Sequence, residues 1–328
     1  MAGARNTKVT RQHETREVRR RRVPHASRRA VIYVALACNA AIACGKYVAA
    51  VLTGSAAMVA EGIHSTIDIG NQVLLLYGLR RARRPPDEEF PFGYGKEIYF
   101  WSFVVAIEMF AVGAGAAILR GIAQLRDPRE LVHPLINYSV LAMALLFEGT
   151  SWLYAMASFS RSKGRRGYIQ AVRSGKDPSR FLVLFEDSAA LLGILIAATG
   201  VGLQQLTGRT EFDAAASILI GVVLAVTACW LAYETKGLLI GESASRSVLA
   251  DIRRIANGVP GIRAVHEILT MHVGPQFILV AITLEFSRAG GREQAIDQLE
   301  DALTAAHPQI RRVFVRVARH SAAAGSGA

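Results

Sequence analysis

Glu61, His64, Asp68 and Asn71 fall inside the otherwise apolar stretch 55–79, SAAMVAEGIHSTIDIGNQVLLLYGL. On an α-helix of about 3.6 residues per turn, positions i, i+3, i+4 and i+7 share one face. Glu61, His64 and Asp68 therefore line one side, with His64 and Asp68 one turn apart. An imidazole and a carboxylate in that relation can hold one divalent cation together. The stretch is long enough to cross a bilayer, and ionisable groups at membrane depth are costly unless they face a polar interior or a cavity. It reads as half of a metal site. Glu61 is an accessory candidate, as an outer ligand or proton acceptor, and a solvated place near the helix end fits it equally well.

The elements around this stretch can be read from composition and hydropathy. Of 328 residues, 52% are apolar, too many for an ordinary soluble domain. The net charge of +12 admits a nucleic-acid binder or a membrane protein with basic loops. The basic residues cluster between six apolar runs, at about 31–53, 55–79, 98–122, 135–159, 181–206 and 212–240, and each run is near the ~20 residues a bilayer needs. Six spans exclude the soluble nucleic-acid binder. Cys38, Cys44 and Cys229 all lie in apolar segments, form no C-x-x-C signature and read as packing residues.

Residues 1–29, with the run Arg19 to Arg22, are expected to be a disordered basic cytoplasmic arm, too long and Arg-rich for the start of a signal peptide. Residues 30–241 hold the six spans. Lys and Arg crowd the arm, the segment from Arg80 to Lys96 and the segment from Arg161 to Arg180, while the opposite side has only Arg120, Arg126, Arg129 and Arg209. The positive-inside rule then puts both termini in the cytoplasm. The Arg- and Ala-rich composition suggests a bacterial plasma membrane.

Residues 242–320 change character. Val248, Ile252, Ile255 and Val259 repeat at helical spacing, 262–273 and 277–286 read as strands around a Gly274-Pro275 turn, 294–306 as a helix, and Val313, Val315 and Val317 alternate as a last strand. The order αββαβ predicts a small α+β domain. Residues 321–328 read as a disordered tail.

The first pair of spans, the loop Phe90 to Glu97 and the tail domain together resemble the cation diffusion facilitator family. His64-x-x-x-Asp68 matches the metal-binding position of the family's second helix. Phe92-Gly93-Tyr94-Gly95-Lys96 matches its Gly-rich approach to the third, and Asp213 with the small residues after it matches the start of the sixth. The resemblance implies a proton-coupled exporter of divalent metal, usually a homodimer. It also implies an all-α six-helix transmembrane domain followed by a ferredoxin-like cytosolic domain. The expected ion is Zn²⁺, since nitrogen and oxygen ligands suit it, with an exporter of Mn²⁺, Fe²⁺ or Co²⁺ or a non-transporting membrane metal sensor or scaffold as the alternatives. No nucleophile paired with a base is visible, so no enzyme is expected. The metal is the transported substrate, no cofactor is expected, and the partners are the metal, protons, the bilayer and a second copy of the chain.

The fifth span departs from the family pattern, which places a second His/Asp-x-x-x-Asp there. This chain has Phe185-Glu186-Asp187-Ser188. Adjacent Glu186 and Asp187 point about 100° apart. Asp187 is the first choice as ligand, because it falls closest to the family's second acidic position. Glu186 is the second choice, or the carrier of the exchanged proton. Glu108 and Glu148 are read as interhelical hydrogen-bonding groups. Phe90 and Tyr94 stand where many relatives have His, and Asp87, Glu88 and Glu89 read as solvated surface. Thr283 and Arg316 stand at strand positions where relatives bind metal. His266, His272 and His307 are therefore left out of the site, and the tail domain is expected to bind zinc weakly or not at all.

Overall fold

The structure, a computed structural model, describes residues 25–128, 130, 132–163, 167, 178–287 and 291–318. Residues 1–24 of the basic arm, most of the basic loop before the fifth span and the tail 321–328 lie outside the described residues.

Helix α1 (His25–Thr53) starts inside the stretch read as the arm and ends at Gly54, whose φ of 75° lies in the left-handed region that side chains avoid. Helix α2 (Ala56–Arg81) follows at once, N-capped by Ser55, whose hydroxyl accepts from Met58 N–H. Helix α3 runs from Glu97 to Arg126 and carries a π-helical segment at Met109–Ala114. Helices α4 (Pro134–Lys163) and α5 (Pro178–Thr207) both open on proline, which a first helical position tolerates because its N–H would be unpaired there anyway. Helix α6 (Glu211–Ile240) stops at Gly241, φ 118°.

Four of these helices, α3 to α6, are long and apolar enough to cross a membrane. Their outer faces present Leu119, Leu146, Leu153, Leu195, Leu206 and Tyr233, large apolar side chains each more than half exposed. That suits lipid, which solvates apolar surface as readily as a protein core does. Inward, Met58 and Ile67 of α2 join Met109, Leu141, Leu182, Ile194 and Leu224 in one buried core.

The C-terminal residues form a small sheet domain: α7 (Arg246–Gly258), β1 (Ile262–Gly274), β2 (Phe277–Phe286), α8 (Arg292–Ala306) and β3 (Ile310–Val317). Strand β2 is central, antiparallel to β1 and parallel to β3. Its residues Ile278, Val280, Ile282, Leu284 and Phe286 alternate into a core with Ile252 of α7 and Leu299 and Leu303 of α8.

The two parts meet at the Gly-rich loop. A Cβ on Gly95 would lie 2.6 Å from the Val273 carbonyl oxygen, so only glycine permits this approach to the hairpin turn of the sheet. Arg81 at the end of α2 pairs with Glu97 at 3.0 Å, and Trp101 donates to the other oxygen of Glu97 at 2.8 Å. Asp87, expected as solvated surface, accepts from the Tyr94 hydroxyl at 2.5 Å and from Phe90 N–H at 2.8 Å. Those two donors, the hydroxyl first, hold its carboxyl below the usual range.

Candidate metal centre

Helix α2 is fixed at its start by a group far away in sequence. Asp213, in the first turn of α6 and fully buried, accepts from the Ser55 hydroxyl at 2.5 Å and from the backbone N–H groups of Ala56 and, at 3.4 Å, Ala57. These are the N–H groups an α-helix leaves unpaired at its N-terminus, and a carboxylate there also complements the helix dipole. The family-like residue Asp213 thus sets the position of the helix that carries His64 and Asp68.

Midway along α2, His64 Nδ1 lies 3.6 Å from Asp68 Oδ1, too long for a hydrogen bond. His64 is buried, and neither ring nitrogen has a hydrogen-bond partner in the protein; Asp68 Oδ1 and Asn71 Oδ1 also lack one. Buried lone pairs are normally satisfied, and leaving one unpaired costs about 1–3 kcal/mol. Several together on one helix face are what a cation-binding surface presents.

The fifth helix supplies the other side. Glu186, 4% exposed, accepts from Asn71 Nδ2 at 2.9 Å and lines the same cavity as Asp68. Two carboxylates lining one small cavity repel unless a proton or a cation offsets their charge. Asp187 turns towards α4 instead and accepts from the Ser151 hydroxyl at 3.0 Å. Glu186 is thus tied to Asn71 of α2, and Asp187 to Ser151 of α4. Both border a cavity of about 60 Å³ between α1, α2, α4 and α5, which Asp68, Ser65 and Glu148 also line. That is room for an ion with a few waters. His64 sits behind Asp68 and outside the cavity lining. Among the described residues no three His, Cys, Asp or Glu side chains converge on one point as they stand. Asp68 shares the cavity wall with Glu186 and lies 3.6 Å from His64 Nδ1.

Glu61 shares the face of His64 but is engaged elsewhere. Its Oε2 accepts from Lys46 Nζ of α1 at 2.9 Å, and Lys46 also reaches Ser65 Oγ at 2.8 Å and Glu148 Oε1 of α4 at 2.9 Å. Gly193 of α5 makes room for this arrangement, since a Cβ there would lie 2.2 Å from Glu61 Oε1. Glu148 joins helices through Lys46, and Glu108 lies against Gly70 of α2. Sequence reasoning missed Lys46 altogether. The signal was available: a lysine within an apolar span, in a chain whose spans also carry unpaired acids.

In the sheet domain His266 pairs with Glu285 at 3.2 Å and His307 with Asp251 at 3.3 Å, while His272 is buried. Thr283 and Arg316 face each other across the β2–β3 ladder.

Comparison with known proteins adds to this geometry. Residues 32–240 match the model of the cation efflux transmembrane domain. The mouse protein named proton-coupled zinc antiporter SLC30A9, mitochondrial, is 33% identical over 246 residues, 74% of this chain and 43% of the relative. Metal tolerance protein C4 of Arabidopsis thaliana is 29% identical over 80% of this chain and 57% of its own length. Cation-efflux pump FieF of Shigella boydii serotype 18 is 26% identical over 78% of this chain and 81% of its own. The chain thus spans less than half the length of the mouse relative. The match of the transmembrane model across most of the chain, on four membrane-length apolar helices, carries the assignment: the chain is an integral membrane protein and belongs to the cation efflux, or cation diffusion facilitator, family.

Proposed function

We propose that the protein exports a divalent transition-metal ion, Zn²⁺ first, in exchange for protons, through His64 and Asp68 of α2 and Glu186 of α5. The single observation behind this reading is that Asp68 of α2 and Glu186 of α5 line one small cavity, next to the unpaired His64 of α2. A position that needs either a proton or a cation between two carboxylates is one where the two exchange. Imidazole nitrogen with carboxylate oxygens suits Zn²⁺, and the oxygen-rich balance also admits Mn²⁺, Fe²⁺ or Co²⁺. Because ligands bind metal only when deprotonated, affinity falls as pH falls, and protons arriving from outside release the ion. The ion draws His64, Asp68 and Glu186 together, Asp187 supports the edge through Ser151, and rocking of the helices about this point gives alternating access. The relatives named as a zinc antiporter and a cation-efflux pump support the reading.

In the same reading all six long helices span the membrane, α1 and α2 included. The basic flanks put both termini in the cytoplasm, the membrane is a bacterial plasma membrane, and the sheet domain is the ferredoxin-like cytosolic module. That module pairs with a second copy through exposed apolar residues such as Leu269 of β1 and Val317 of β3, and light scattering of the detergent-solubilised protein should give the mass of a dimer. The decisive transport experiment uses purified protein in vesicles under an imposed pH gradient, with Zn²⁺, Mn²⁺, Fe²⁺ and Co²⁺ compared. Gradient-driven uptake of at least one ion is expected, and Asp68→Ala should abolish it in a protein that still inserts. Uptake at the wild-type rate by Asp68→Ala would remove the site.

A further inference from the structure

Lys46 is a full charge buried among helices, and the ion site does not use it. Its Nζ is 0% exposed and lies 2.9 Å from Glu61 Oε2, 2.8 Å from Ser65 Oγ and 2.9 Å from Glu148 Oε1. Three oxygens, two from α2 and one from α4, therefore converge on one point, and the ammonium from α1 occupies it. Two carboxylates and a hydroxyl around one point are ligand chemistry for a hard cation.

Two further observations separate this cluster from an ordinary ion pair. Glu61 Oε1 and Glu148 Oε2 have no hydrogen-bond partner in the protein, so the acids hold acceptor capacity beyond what the lysine uses. Ser65 and Glu148 also line the cavity that Asp68 and Glu186 border, so the point sits at the edge of the chamber the metal enters. A cation in that chamber has two groups of carboxylates within reach. One of them already carries its own positive charge on a tether.

We propose that Lys46 is a tethered cation filling a second cation site formed by Glu61, Ser65 and Glu148, and that it thereby holds the chamber to one transported ion per protomer. The proposal rests on the reading of His64, Asp68 and Glu186 as the ion site. Without the ammonium, one buried carboxylate (Glu61) and one partly buried one (Glu148) are left uncompensated, and a free divalent ion is drawn to them by the same charge that held the lysine. With it, the carboxylates on the cavity wall that the lysine leaves to the ion are, among the described residues, Asp68, Glu186 and Asp187.

The test counts metal on the purified full-length protein. After equilibrium dialysis against Mn²⁺ or Zn²⁺, bound metal per chain is measured by elemental analysis. Wild type should hold one ion, Lys46→Ala two, and Lys46→Ala/Glu148→Gln one again. A folded Lys46→Ala protein that holds one ion overturns the proposal. Glu148→Gln alone leaves Lys46 paired with Glu61 and should keep one ion. If that variant loses the ion, Glu148 serves the transported metal and not the lysine, and the proposal fails even if Lys46→Ala does not fold. Wild-type protein that binds no ion refutes the metal-site reading itself, a different outcome from either of these.

Discussion

Glu186→Gln and Asp187→Asn are nearly isosteric changes at neighbouring positions, and the structure assigns them different consequences. Glutamine at 186 keeps an oxygen that can accept from Asn71 Nδ2, now at 2.9 Å, so the local hydrogen bond survives and mainly the charge is lost. That charge shares with Asp68 the cavity where the ion is proposed to bind. Asparagine at 187 likewise keeps an acceptor for Ser151, now at 3.0 Å, at the edge of the cavity. Changing a group that only supports a metal ligand typically costs about 10–100-fold in affinity. Removing a charged ligand should exceed that range. Glu186→Gln is therefore expected to weaken zinc binding by more than about 100-fold, roughly 2.7 kcal/mol, and Asp187→Asn by about tenfold or less, roughly 1.4 kcal/mol. Isothermal titration of zinc into each detergent-solubilised variant at one pH measures both. If Asp187→Asn loses binding while Glu186→Gln stays within a few-fold of wild type, the rotation of α5 is misread and Asp187 takes the ligand role.

Gly193→Ala should push Glu61 off Lys46, since the new Cβ would lie 2.2 Å from Glu61 Oε1; overpacking of this kind costs about 1–3 kcal/mol, read as a lower thermal midpoint, and an unchanged midpoint would show that the contact relaxes freely. Asp213→Ala removes the acceptor for the first N–H groups of α2 and should destabilise by about 0.5–2 kcal/mol while also lowering zinc affinity through displacement of His64; a full-affinity variant would separate the cap from the site. The Asp87–Tyr94 tie has its own pH dependence. Because the folded carboxyl titrates below the ~3.9 of a free aspartate, its stabilisation is complete above that value and disappears as pH falls through the folded value. Hydrogen exchange in 87–97 should therefore show protection at neutral pH that fades on strong acidification, and Tyr94→Phe should lose it at all pH values; equal protection in Tyr94→Phe would rule the tie out.

The closeness of His64 and Asp68 was legible in the sequence because helical periodicity is local: a spacing of four puts two side chains together wherever the helix ends up. The Gly274-Pro275 turn and the alternation of β2 were legible for the same reason. The choice between Glu186 and Asp187 was not local. Neighbours about 100° apart on a helix are separated only by how α5 is rotated against α2 and α4, and that rotation is set by packing between segments more than 100 residues apart in sequence, as in the bond from Asn71 to Glu186. Lys46 shows the same limit. Its partners lie 15, 19 and 102 residues away, so no window of sequence displays the cluster, although the cost of a lone lysine in an apolar span was itself a signal.

X-ray absorption at the zinc edge, on full-length protein loaded with one equivalent of Zn²⁺, looks directly at the atoms that hold the ion. The account predicts a shell of nitrogen and oxygen with the outer scattering of one imidazole, and loss of that imidazole signal in His64→Ala. A shell with several imidazoles, or an imidazole signal unchanged in His64→Ala, would place the ion on other histidines and contradict the account.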